Sequence, residues 1–245
     1  MISGPGGRIR WGWRLLLFVS LLFAIVAVFG RMTIWLAGRP TDVPGTVVRG
    51  LLTGLPAALA ASWVMMSAVE SRSLAALGLV PAEFIADSAR GLVAGGLLVA
   101  GALGILAITG ALSWEFVPVV PAVWLSSISR TALILGLAAF LEEILFRGYA
   151  LQLVVEALGP VVGIGLSAIT FGAAHAANPG VGSLALLNTV LAGILLGIMY
   201  WRTFSIWLVT GVHLGWNGVM SLAADLPVSG LVLGSPAIRA TVTGP

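Results

Sequence analysis

Six residues in the second half of this chain could do chemistry together. They are Glu142, Glu143 and Arg147 in Phe140-Leu-Glu-Glu-Ile-Leu-Phe-Arg-Gly148, His175 in Phe171-Gly-Ala-Ala-His175, and His213 and Asn217 in His213-Leu-Gly-Trp-Asn217. The two histidines are the only ones in the protein. Each group is set in an apolar run, where an ionisable side chain costs roughly 2.5–3.5 kcal/mol on the insertion scale and usually serves a function. On a helix, Glu143 and Arg147 stand four apart, share a face and can pair. Glu142 lies about 140° around the helix from Arg147 at 100° per residue, so it is the carboxylate left free to act. His213 and Asn217 repeat the four-residue spacing and can turn an imidazole and an amide towards one point. Three helices packed together would bring Glu142, His175, His213 and Asn217 to one polar site.

A polar side chain facing lipid is costly, so within a bundle these groups are expected to turn inward together. Each element also has a plainer reading: the Glu143–Arg147 pair is structural before it is chemical, a single buried histidine can be a core hydrogen-bonding group, and Asn188 reads as interhelical glue. Two glutamates, two histidines and an asparagine on three helices are hard to explain by packing alone. A Gly-x-Ser-Gly nucleophile is absent, and Asp42, Asp87 and Asp225 lie outside the centres of the apolar runs. Serine and aspartyl intramembrane chemistries therefore fare worse.

Glu-Glu-x-x-x-Arg, then Phe-x-x-x-His, then His-x-x-x-Asn resembles the CAAX protease and bacteriocin-processing (CPBP, or ABI) family of intramembrane endopeptidases. The stretch Gly193–Trp207 leading into His213 is similar to that family's last motif region. The resemblance covers about residues 132–222, the expected catalytic core. It implies peptide-bond hydrolysis inside the membrane on a membrane-associated peptide or protein. It assigns water activation to Glu142 and His175, oxyanion stabilisation to His213 and Asn217, and a supporting role to Glu143 and Arg147. No cofactor is expected. Zinc is the alternative, with Glu142, His175 and His213 as ligands, but His-Glu-x-x-His is absent and the base-plus-oxyanion arrangement fits a metal-free mechanism better. The competing functional readings are a proton-coupled transporter, against which the lack of an inverted repeat counts, and a non-catalytic scaffold or bacteriocin-immunity protein.

The elements that must hold these residues follow from composition. Of 245 residues, 59% are hydrophobic and only 9% charged, against roughly 25% charged in soluble domains. That excludes an ordinary soluble fold and intrinsic disorder, and makes nucleic-acid binding remote despite a net charge of +3. The absence of cysteine removes disulfides, thiolate metal sites and a cysteine nucleophile. A crossing helix needs about 20 mostly apolar residues. Runs of that kind are predicted at about residues 15–36, 47–69, 91–112, 124–158, 161–177, 184–201 and 203–222.

The expected architecture is all-α, a polytopic transmembrane bundle of about 7–8 helices forming one domain over residues 1–245. The first run reads as a retained signal anchor, the polar stretch 70–90 as a loop with a short interfacial helix, and residues 113–121 as a loop. The tail from Ala223, broken by Pro227, Gly230, Gly234 and Pro236, reads as loop or surface-lying. Gly50/Gly54, Gly91/Gly95, Gly193/Gly197 and Gly211/Gly215 recur one turn apart, marking close helix–helix contacts. Arg8, Arg10 and Arg14 predict a cytoplasmic N-terminus in a multi-pass protein of the cell membrane.

Overall fold

The computed structural model describes residues 8–231 and 237–243. The chain folds as α1 (Trp11–Ala37), α2 (Val43–Val64), α3 (Phe84–Ile108), β1 (Leu112–Phe116), α4 (Pro121–Arg147), α5 (Tyr149–Leu158), α6 (Pro160–His175), α7 (Ser183–Thr203), α8 (Ile206–Gly218) and β2 (Ile238–Val242). Prolines in the first turns start α2, α4 and α6, where the missing N–H has no intrahelical acceptor to lose. Asp42 caps α2 by accepting from the Gly45 N–H, and Ser205 caps α8 by accepting from Leu208. Wide π-turns extend α2 through Met65–Val69 and α8 through Val219–Ala223.

Among the described residues, five helical stretches are long and apolar enough to cross a membrane: Trp11–Ala37, Pro44–Val69, Pro81–Ile108, Pro121–Leu158 and Ser183–Thr203. The all-α bundle expected from the composition holds. The outer faces of these helices are strongly apolar, with Trp35, Ile108 and Leu184 among the most exposed residues, which suits lipid rather than water. The core lies where α4 to α8 meet, around Ile144, Leu151, Val155, Ile164, Leu196, Tyr200 and Val209.

Several expected boundaries shift. The helix predicted to run unbroken to about residue 158 divides after Arg147, because Gly148 leaves helical geometry with ψ −130°. The Phe146 carbonyl at this break accepts from the Ser167 hydroxyl at 2.7 Å, so the exposed backbone acceptor is satisfied across the α4–α6 contact. No interfacial α-helix fills 70–90; two 3-10 turns, Leu74–Leu77 and Pro81–Glu83, lead into α3, which starts earlier than expected. The polar residues Asp87 and Arg90 pair with each other at 3.0 Å and so do not stop the helix. The loop and tail are also not fully irregular. β1 and β2 form an antiparallel pair with Leu112 opposite Val242 and Phe116 opposite Ile238. Gly234 and Pro236 lie outside the described residues.

The glycine pairs divide into two kinds. A Cβ on Gly91 or Gly95 would overlap backbone of Leu208 or Val212, and one on Gly211 or Gly215 would overlap backbone of Ser88 or Leu92. Rising numbers on α3 meet rising numbers on α8, so the two helices run parallel, backbone against backbone. Gly193 meets Ala168 and Gly197 meets Ile164, locking α7 antiparallel to α6. Gly50 meets nothing and is a glycine of composition only.

At the end of the bundle near the start of α1, the Glu70 carboxylate accepts from Arg14 at 2.7 Å, Tyr149 at 2.8 Å and Arg8 at 2.9 Å. Burial pushes this carboxyl upwards, but the hydrogen bonds from Arg14 and Tyr149 outweigh it and hold it below the usual glutamate range. The same end is tied by Gln152, which donates to the Ala76 carbonyl and the Tyr200 hydroxyl.

Candidate active site

The last turns of α4 supply three of the six motif residues. Glu143 and Arg147 are completely buried and paired, with Nη1 donating to Glu143 Oε1 at 3.1 Å. The other arm of the guanidinium, Nη2, donates to the Gly193 carbonyl of α7 at 3.2 Å. Its central carbon lies 4.5 Å from the centroid of the Phe171 ring on α6, within range of a cation–π contact. One arginine thus joins three helices, which a lysine lacking the planar fork cannot do.

The histidines arrive from α6 and α8. His175 Nδ1 donates to the Phe171 carbonyl one turn earlier at 2.8 Å. His213 Nδ1 donates to Glu143 Oε1, also at 2.8 Å. Both partners are acceptors only, so each Nδ1 carries a proton and each ring turns its Nε2 inward. Those two nitrogens stand 3.6 and 3.7 Å from the same atom, Glu142 Oε2. That oxygen is buried and has no hydrogen-bond partner among the described residues. Phe171 packs against both imidazoles, with ring centroids 4.7 Å from His175 and 6.0 Å from His213. Two carboxylates and one guanidinium leave a single negative charge. One proton held among Glu142, His175 and His213 makes the cluster neutral, which is the inexpensive state in a medium of low dielectric.

Asn217 lies one turn beyond His213 on α8, and both line a cavity of about 330 Å³ whose opposite wall is α7. Phe171, Asn188, Ala192 and Trp216 contribute to the same cavity. Glu142 and His175 are not among its lining residues. His175 and His213 thus both approach Glu142, while Asn217 borders the adjoining space and makes no hydrogen bond among the described residues. The parallel glycine contact of α3 with α8 sets the depth of His213, which Gly211 and Gly215 flank, and of Asn217 two residues further on.

Two parts of this arrangement had no signal in the sequence. The spacing paired Glu143 with Arg147 but gave no reason to join it to His213, 70 positions away. The Gly193 carbonyl is invisible to any reading of side chains. Phe171 could have been singled out, since it stands four residues before His175 on the same face. Zinc uses donors of these types, but a site needs three protein ligands about 2 Å from one point. Among the described residues no group of three or more histidine, aspartate or glutamate side chains is arranged to hold a metal ion.

A family model described as Type II CAAX prenyl endopeptidase Rce1-like matches residues 123–219, less than half of the chain. The matched segment runs from the start of α4 to the end of α8 and contains all six motif residues, which bears out the resemblance that those motifs carry. No curated protein matches, and no solved structure does.

Proposed function

We propose that this protein is a glutamate-dependent intramembrane endopeptidase acting on a membrane-associated peptide or protein. A water drawn between the Glu142 carboxylate and the inward nitrogen of His175 as substrate binds attacks the scissile carbonyl. Glu142 takes the proton released as the carbon–oxygen bond forms. The oxyanion receives hydrogen bonds from the Asn217 amide and from His213 Nε2, where the proton that neutralises the cluster resides. Glu143 holds His213 by its other nitrogen, fixing the direction of that donor. Glu142 then passes its proton to the leaving amine as the carbon–nitrogen bond breaks, and water restores the starting state. The steps balance with one water consumed and no metal required.

The observation that carries this reading is the convergence of two Nε2 atoms on one unpartnered carboxylate oxygen, with both Nδ1 atoms tied away from it. A packing histidine has no reason to turn its second nitrogen to a free carboxylate, and two doing so favour a chemical role for the cluster over a packing one. The matched family model supports the same chemistry class.

The test is cleavage of a library of membrane-spanning peptides by the purified protein in nanodiscs. Glu142→Gln keeps the shape but cannot accept a proton, so hydrolysis should fall by roughly 10²- to 10⁴-fold with melting temperature unchanged. Asn217→Ala should lose roughly 10²- to 10³-fold, the worth of an oxyanion donor. Chelator should leave the rate unaltered. Cleavage persisting in Glu142→Gln removes the base assignment. Loss on chelation with recovery on zinc replaces the water mechanism with a metal one. A wild type inert across the library, but carrying protons across vesicles, returns the cluster to the transporter reading.

A further inference from the structure

We propose that Asn188 binds the backbone of the substrate segment that has unwound for cleavage. This inference rests on the proteolytic reading above and adds a positioning residue to it. Asn188 is on α7, in the wall of the cavity facing His213 and Asn217. The role of interhelical glue fails, because its amide makes no hydrogen bond among the described residues. Its neighbour Thr189 is spent on its own helix, donating to the Ala185 carbonyl at 2.9 Å. Asn188 is exposed at the cavity, so its amide is open to a partner that arrives from outside.

The chemistry of the reaction supplies that partner. A peptide inside hydrocarbon satisfies its backbone by being helical, and each N–H or C=O released costs several kcal/mol if left alone. Attack on a scissile carbonyl requires a few residues to leave the helix, which frees such groups beside the attacking water. An asparagine amide has two donors and an acceptor, so it can receive a substrate N–H and give to a substrate C=O at once. Ala185 and Ala192, about one turn to either side on the same wall, keep that wall low enough for a main chain to lie against it. Asn217 on the opposite wall addresses the scissile carbonyl, and Asn188 addresses the backbone beside it. At about 330 Å³ the cavity is near the lower bound of ligand sites, roughly 300 Å³, and suits a short unwound segment rather than a whole helix.

The experiment measures binding apart from chemistry. A fluorescein-labelled single-span Leu/Ala peptide with a central Gly-Ser pair is titrated into nanodiscs holding Glu142→Gln, with and without Asn188→Leu or Asn188→Gln. Loss of the amide should weaken binding about three- to tenfold, the worth of one net hydrogen bond, and Asn188→Gln should recover part of it. All variants should melt at the same temperature, since Asn188 faces open space. In a series of peptides with one backbone N–H replaced by an ester oxygen, one position should weaken binding to the protein that keeps Asn188 and leave Asn188→Leu unaffected. Equal affinity with and without Asn188→Leu, and no ester position whose effect depends on this residue, overturns the proposal. If cleavage by the unmutated protein is never found while binding still depends on Asn188, the proteolytic reading falls and the peptide-binding role stands.

Discussion

At the scale of single residues, the burden of the site falls on Arg147. It neutralises Glu143, holds α7 through the Gly193 carbonyl and lies on Phe171. Arg147→Ala leaves a buried carboxylate without its countercharge, and removal of one partner of such a pair costs roughly 3–5 kcal/mol. The variant should therefore show a sharply lower melting temperature and yield as well as lost activity. Arg147→Lys should recover little, because an ammonium cannot span Glu143, Gly193 and the ring together. A variant that melts like wild type and changes only peptide preference would show that Arg147 contacts substrate instead. The Glu143–Arg147 pair was legible from spacing alone, since a four-residue interval fixes neighbours on any helix. The Glu143–His213 bond was not, because it depends on how α8 is rotated against α4, and that is decided by packing.

At the scale of helices, the glycines separate contacts from composition. Gly95→Leu or Gly211→Val would force α3 and α8 apart and carry His213 with them, so both should abolish a folded, monodisperse protein in detergent. Gly50→Ala meets no neighbour and removes a flexible residue from a helix interior, which should raise stability by roughly 0.5–1 kcal/mol. Thermal melts of the three variants decide this; a Gly50→Ala protein as damaged as the other two would contradict the assigned contacts. The sequence pattern marked all these pairs alike, because a four-residue interval states that a face is small but not what lies against it. The pairing of β1 with β2 was equally hidden. It joins Leu112–Phe116 to Ile238–Val242 across about half the chain, and strands of five residues carry little periodicity to read.

For the molecule as a whole, the Glu70 cluster and the β1–β2 pair mark opposite ends of the bundle, and they should lie on opposite sides of the membrane. The chain lacks cysteine, so the single substitutions Ser73→Cys and Thr243→Cys each give one thiol that can be labelled from either face of oriented vesicles. The positive N-terminal flank expects Ser73 on the cytoplasmic side; labelling of both positions from one face would break the topology. Acid should loosen the Glu70 end. Its carboxyl is held low in the folded state, so the stabilisation is complete above the unfolded value near 4.5 and is lost as pH falls through the native one. Melting temperature should be flat from neutrality to about pH 5 and decline below it, using that same reference value. Glu70→Gln should melt lower than wild type at pH 7, with the gap closing on acidification.

The histidines ride on the two short helices of the matched segment's second half. α6 has 16 residues, about 24 Å at 1.5 Å per residue, and neither it nor α8 with its π-turn extension is among the stretches both long and apolar enough to cross by themselves. Glu142 and Glu143, by contrast, ride on a helix that spans without help. The carboxylates thus sit on a stretch that meets the requirements of a span by itself, while the imidazoles are placed through the contacts of α7 with α6 and of α8 with α3. A partly made chain holds its acids without their histidines. The meeting of carboxylates and imidazoles in this architecture is thus a product of completed assembly rather than of any one helix.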